Sequence, residues 1–199
     1  YAAKVVAGLS APALLVKQLE QVYGAAEVAM PGGANSKWWW ALQHVGSDYF
    51  MICPARRSVE WWHAAPGAPP SYLYLFSHAP DGPSGVYPKL AHHASEIPFV
   101  FQDKSAIGPS AAKYHISERE LPLSNAMVTA WRHFAATGSP SGLGVEEDSA
   151  VWPMFADNSS WMVFGGAGGI AAVSARLKQA QCDLWDRVAQ AVESGRAPR

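Results

Sequence analysis

At 199 residues, the chain is long enough for one domain with a substantial core, or for a large part of a bigger one. The 15 Lys and Arg are balanced by 16 Asp and Glu, so no basic stripe offers itself to nucleic acid, and no run reaches the ~18 apolar residues of a membrane span. Charged residues make up 16% of the chain against about 25% in typical soluble domains, which fits a surface covered by the rest of a larger protein. Tyr1 stands where an initiator Met would, without a basic-then-apolar leader. That predicts a processed or trimmed chain.

In chain order, residues 10–23 read as a helix, with Ser10 as cap, Pro12 in the first turn and Leu15, Leu19 and Val22 at helical spacing. Trp38 to Val59 reads as a second, longer helical region that Pro54 kinks or interrupts. The Pro- and Gly-rich residues 65–70 form a loop. Ser71 to Ser77, with Tyr72, Leu73, Tyr74, Leu75 and Phe76, predicts a strand buried on both faces. Residues 79–88 return to Pro and Gly and lead, as a surface loop, to His93. The clearest helix covers 117–138: Ser117 and Glu120 have capping-box spacing, and Pro122 can move the start to Leu121. Leu123, Met127, Trp131, Phe134 and Ala135 give it an apolar face, and Gly138 with Pro140 ends it. Trp161 to Phe164 reads as a short strand. Ser174 is expected to cap a last helix whose Leu177, Leu184, Trp185, Val188 and Val192 face a core, before a frayed tail at 194–199.

Several motifs bear on chemistry. A serine hydrolase of the Ser-His-acid type carries its nucleophile in G-x-S-x-G on a strand-to-helix turn. Gly8-Leu9-Ser10-Ala11-Pro12 begins that way, but Pro12 replaces the second glycine and no strand precedes it. Gly166 to Ala171 fits the G-x-G-x-x-A of a dinucleotide turn. The second strand with its acidic ribose ligand never follows, so the segment reads as a flexible connector. Trp38-Trp39-Trp40 and Trp61-Trp62 read as core or gorge lining before ligand platforms. The seven histidines show no metal-ligand spacing, and no metal is expected. Cys53 and Cys182 are the only cysteines and form no C-x-x-C pair. They are two unrelated buried thiols or one disulfide, which in the loop-entropy model would contribute roughly 4–5 kcal/mol. Asn158-Ser159-Ser160 is a glycosylation sequon. His93 alone is an ordinary loop histidine. Its context is that of a general base: a core strand, a short loop, then His93 with Glu96 three residues on and an apolar anchor to Phe101.

Three segments resemble the type-B carboxylesterase and cholinesterase family of α/β-hydrolases. Asp48 to Pro54 is similar to its D-x-x-x-x-C-P segment, followed by Tyr72-Leu73-Tyr74-Leu75-Phe76 as a Y-x-Y-x-F strand. His93 to Phe101 resembles the catalytic-histidine motif H-x-x-E-[IL]-x-[FY]-[VL]-F, whose spacing selects His93 over His92. Leu123 through Pro140, then Trp152-Pro153-Met154-Phe155, resembles L-S-x-x-M-x-x-x-W-x-x-F-A-x-T-G-x-P and W-P-x-[FY]. Cys182 matches the cysteine that in cholinesterases pairs with the one in the D-x-x-x-x-C-P segment. The resemblance therefore implies a Cys53–Cys182 disulfide.

The resemblance covers roughly residues 10–190 in order. It implies an α/β fold: the C-terminal third of an α/β-hydrolase, last sheet strands plus packing helices, incomplete as a stand-alone domain. Residues 1–199 would then be a segment of one hydrolase domain. The serine, the oxyanion-hole glycines and the acid would all precede Tyr1, since Glu20, Glu27 and Asp48 lack the acid-motif context. His93 would supply the base, acting on an ester substrate without a cofactor. The partner would be the N-terminal remainder or another chain of an assembly, in a secreted or lumenal, oxidising compartment. A catalytically silent adhesion or scaffold subunit is the alternative expectation.

Overall fold

The structure is a computed structural model that describes residues 13–24, 37–81, 90–102, 116–141, 151–156, 158–165 and 169–194. The chain forms two compact units, one drawn from Tyr1–Trp61 with Arg176–Arg199 and the other from Trp62–Ala175.

The first unit is helical. Helix α1 spans Ala13–Val22 and α2 spans Lys37–Ser47. A π-helical turn, Asp48–Ile52, follows and gives way to α3, Cys53–Ala64. Pro54 explains the widened turn. It has no N–H, and in an unbroken α-helix its ring would strike the carbonyl of residue 50. The chain instead lets the Cys53 amide donate to the Asp48 carbonyl, five residues back. The interruption expected at Pro54 thus takes the form of a register shift. The last helix, α6, covers Gln179–Ser194. Its Leu184, Trp185 and Val188 pack with Leu19, Tyr23 and the Cys53–Cys182 disulfide, and both sulfurs belong to fully buried residues.

Several polar groups inside this core are paired. Asp48, wholly buried, accepts the Tyr23 hydroxyl at 3.0 Å and lies 2.8 Å from the Lys178 ammonium. The Trp185 indole N–H donates to the Tyr23 oxygen at 2.8 Å. Burial, with the neighbouring Asp48 charge, pushes the Tyr23 phenol above its ordinary value, so it remains a donor. Buried Arg56 bonds Asp183 at 2.9 Å and Asp186 at 2.8 Å.

The second unit holds a three-stranded sheet in the order β1-β2-β3, with β1 at Tyr74–Phe76, β2 at Ser160–Phe164 and β3 at Ile170–Ser174. Strands β1 and β2 are parallel, with Tyr74 opposite Met162 and Phe76 opposite Phe164. Strand β3 returns antiparallel to β2, with Ser160 opposite Ser174. Between β1 and β2 the chain forms α4, Ile97–Phe101, and α5, Leu121–Thr137. Alternate residues of β2 (Ser160, Met162 and Phe164) are buried. Met162 and Phe164 meet Phe99, Met127 and Trp152 in one core, with Trp131 and Tyr74 against it.

Three sequence expectations are corrected here. The strand expected over Ser71–Ser77 is regular only at Tyr74–Phe76 and is half-buried, because β1 is an edge strand of this sheet. Of the connector expected at Gly166–Ala171, Gly166–Gly168 lie outside the described residues, and its end is strand instead. Gly165 and Gly169, both at positive φ, close a hairpin through an N–H···O bond of 2.9 Å, and Ala171 lies within β3. Ser174 is the last residue of β3, its hydroxyl 3.1 Å from that of Ser160, so it caps no helix. Ser10, Pro12 and the Gly8–Pro12 motif lie outside the described residues, as do Glu27, most of the 79–88 loop and the tail beyond Ser194.

Asp48→Ala should strand Lys178 and the Tyr23 hydroxyl and cost about 3 kcal/mol, read as a lower urea midpoint by tryptophan fluorescence. His44 gives a pH test. Burial, and secondarily Lys178, pushes its imidazole below the ordinary value. A folded value below the unfolded ~6.5 means the contribution is complete above the unfolded pKa. It is lost as pH falls from there through the folded value. The urea midpoint should therefore drop between pH 7.5 and 5.5, and less so in His44→Gln.

Candidate active-site segment around His93

Strand β1 delivers the chain to a buried carboxylate. Past Phe76, the Ser77 amide donates to the Phe164 carbonyl at 2.9 Å. His78 then lies against Gly165, where an added Cβ would come within 2.4 Å of the His78 Cβ. The His78 ring stacks edge-on to Phe99 at 5.3 Å and puts Nε2 2.7 Å from Glu120 Oε1. Glu120 is buried just ahead of α5. Its Oε1 also accepts the Asp81 amide at 2.8 Å, and its Oε2 accepts the Ser117 amide at 2.9 Å. Half of the expected capping box is therefore present. The other half is diverted, because the Ser117 hydroxyl donates to Asp81 Oδ2 at 2.7 Å. Arg119 closes the rim on the same oxygen at 3.1 Å.

This carboxylate lock holds the start of the segment that leads to His93. Composition and spacing did not disclose it. Its only sequence trace is the Ser117–Glu120 spacing, which is that of a helix cap.

Beyond the loop, His92 to Ser95 form a tight turn. The Ser95 amide donates to the His92 carbonyl at 3.0 Å. The buried Ser95 hydroxyl donates to the same carbonyl at 2.7 Å and accepts the His92 amide at 3.1 Å. The His92 ring nitrogen Nδ1 donates to the His93 carbonyl at 3.0 Å. Ala94 takes φ = +67°, and His93 is exposed. Helix α4 then seats the segment: Pro98 starts it, Phe99 is fully buried, and the Ser124 hydroxyl of α5 donates to the Phe99 carbonyl at 2.9 Å. Glu96 lies near enough to Tyr74 for its charge, after burial, to push that phenol upward. Among the described residues, no carboxylate and no serine hydroxyl is hydrogen-bonded to the His93 ring.

The other sequence-selected positions fall elsewhere. Cys53 and Cys182 are joined, in the helical unit. Asn158 is exposed before β2, and its Oδ1 accepts the Ser160 amide at 3.3 Å. Asp48 is occupied by Tyr23 and Lys178. Of the tryptophans, Trp40 is buried, whereas Trp38, Trp61 and Trp62 are exposed. Among the described residues, no group of three or more His, Cys, Asp or Glu could hold a metal ion, and no helix is long and apolar enough to cross a membrane.

Removing the lock should be costly. Glu120→Ala leaves the Asp81 and Ser117 amides without their acceptor, for a loss of roughly 2–4 kcal/mol. The two amides should also exchange hydrogen faster than in the parent. Unchanged exchange at both would show that the lock does not hold the loop.

The Carboxylesterase family model matches residues 4–185. Carboxylesterase 5A of Felis catus is 30% identical over 140 residues, 69% of this chain and 24% of the relative. Cocaine esterase of Oryctolagus cuniculus is 27% identical over 146 residues, 72% of this chain and 25% of the relative. The chain thus spans about a quarter of the length of these relatives. Among solved structures, a Geobacillus stearothermophilus carboxylesterase superposes with a TM-score of 0.58 at 21% identity, covering 85% of this chain and 31% of that one. The PNB esterase does so with a TM-score of 0.55 at 26% identity, covering 85% and 32%. The small mixed sheet and its helices are therefore part of an α/β-hydrolase fold, and the chain belongs to the Carboxylesterase family.

Proposed function

We propose that this chain is the C-terminal segment of a serine carboxylic-ester hydrolase and that His93 is its general base. The observation that carries the reading is the His93–Phe101 motif in a carboxylesterase-family chain, with an exposed imidazole on a turn anchored by buried Phe99. The serine and the acid would come from a preceding portion. His93 would take the serine hydroxyl proton as the oxygen attacks the ester carbonyl, and then give it to the departing alcohol. It would next take a proton from water as that water attacks the acyl-serine, and return it to the serine as the carboxylic acid leaves. The acid partner would hold the ring in the required tautomer and stabilise the imidazolium. No step needs a cofactor.

In this reading residues 1–199 belong to one hydrolase domain. The exposed Phe50, Trp61 and Phe101, together with the edge strands, suit a chain that packs against a missing remainder. The buried disulfide suits an oxidising, secreted or lumenal setting, and the exposed Asn158 suits glycosylation there.

The isolated 199-residue chain should aggregate and should not be labelled by a fluorophosphonate, whereas the polypeptide that includes the preceding portion should be. In that longer protein, His93→Ala should lower kcat by ~10³-fold or more. Labelling of the isolated chain, or an unchanged kcat in His93→Ala, would refute the assignment. An esterase-length protein that folds but takes no label would favour the silent scaffold.

A further inference from the structure

We propose that Ser95 is a positioning residue for the His93 base, an inference that rests on the functional reading above. Within this chain the exposed imidazole receives little orientation from packing, so the backbone that carries it must place the ring where its acid and serine can meet it. One side chain fixes that backbone. The Ser95 hydroxyl donates to the His92 carbonyl at 2.7 Å and accepts the His92 amide at 3.1 Å. It therefore clamps both peptide groups that flank His92, one of which is the link to His93. The Ser95 amide adds a third bond to the same carbonyl at 3.0 Å. At 1% exposure, Ser95 is sheltered from water that would compete for these bonds.

The clamp is needed because the turn is strained. Ala94, between His93 and Ser95, has φ = +67°, a left-handed conformation that costs a residue with a Cβ roughly 1–2 kcal/mol. Without the hydroxyl, relaxation of Ala94 would swing the His93–Ala94 peptide and carry His93 with it. The downstream side cannot follow. The Ile97 amide reaches back to the Ala94 carbonyl at 3.3 Å, and α4 is pinned by buried Pro98 and Phe99 and by the Ser124–Phe99 bond. The displacement would fall on His93. Misplacement of a catalytic group by about 1 Å can lower turnover by up to ~10²-fold while leaving ground-state binding alone.

The test uses the esterase-length protein with a p-nitrophenyl ester, counting active sites by fluorophosphonate labelling carried to completion. Ser95→Ala should lower kcat per labelled site by about 10- to 100-fold, with KM within about twofold and the acid limb of the pH profile in place. Ser95→Thr, which keeps the hydroxyl, should recover most of that kcat. The proposal is overturned if Ser95→Ala turns over within about twofold of the parent per labelled site while His93→Ala is inactive. It is also overturned if Ser95→Ala merely reduces the number of labelled sites, which is a folding role, or if Ser95→Thr is as slow as Ser95→Ala. Activity retained in His93→Ala is a separate result that removes the underlying reading of the base.

Discussion

The buried Glu120 carboxylate is the constraint from which the sheet-bearing unit is organised. A carboxylate out of water is stable only when its oxygens are met by donors. Here the amides of Asp81 and Ser117 and the His78 ring meet them. These donors come from the segment after β1 and the segment before α5. One charge therefore fixes two chain passages that lie about 40 residues apart in sequence. Phe99, packed on the His78 ring, brings in α4, which follows the turn bearing His93. The polar lock and the aromatic core are thus one structure, with His78 belonging to both.

The helical unit solves a similar problem with more charges. Arg56 is almost wholly buried, yet its guanidinium engages Asp183 and Asp186, and Arg57 adds a second contact to Asp186 at 2.6 Å. The acidic partners remain partly exposed, which limits the desolvation that a fully buried pair would suffer. Beside this network, the disulfide and the Tyr23–Asp48–Lys178 group tie the π-helical turn and the start of α3 to α6 and the residue just before it.

What the sequence disclosed follows from the range of the interactions involved. Helix α5 was legible because Pro122 and Gly138 act locally, although it starts at Leu121, the alternative to the start expected at residue 117. Gly138 sits at φ = +78° and donates to the Phe134 carbonyl at 2.8 Å. The break near Pro54 was legible for the same reason, although a missing N–H does not say whether a helix will bend or widen. Strand β3 was not legible. Ile170 to Ser174 is short and its burial is slight, so its place depends on pairing with β2. Ser174 has the residue type of a cap, but its hydroxyl is used across the sheet. Glu120 was hidden because its donors arrive from residues 78, 81 and 117, and no periodicity encodes that meeting. The His93 segment was visible as a motif, whereas the Ser95 clamp and the left-handed Ala94 are matters of backbone geometry.

The π-helical turn at Asp48–Ile52 sets the rotational phase between α2 and α3. Each residue in an α-helix turns the next side chain by about 100°, so the extra residue in this turn decides which way every later side chain of α3 points. Asp48 meets Tyr23 and Lys178, and Cys53 and Arg56 meet Cys182, Asp183 and Asp186. A single-residue deletion within 48–52 would leave every side chain of α3 chemically intact. It would nonetheless rotate the cysteine and the arginine together, away from both partners. The spacing of this stretch is therefore as much a part of the core as its composition.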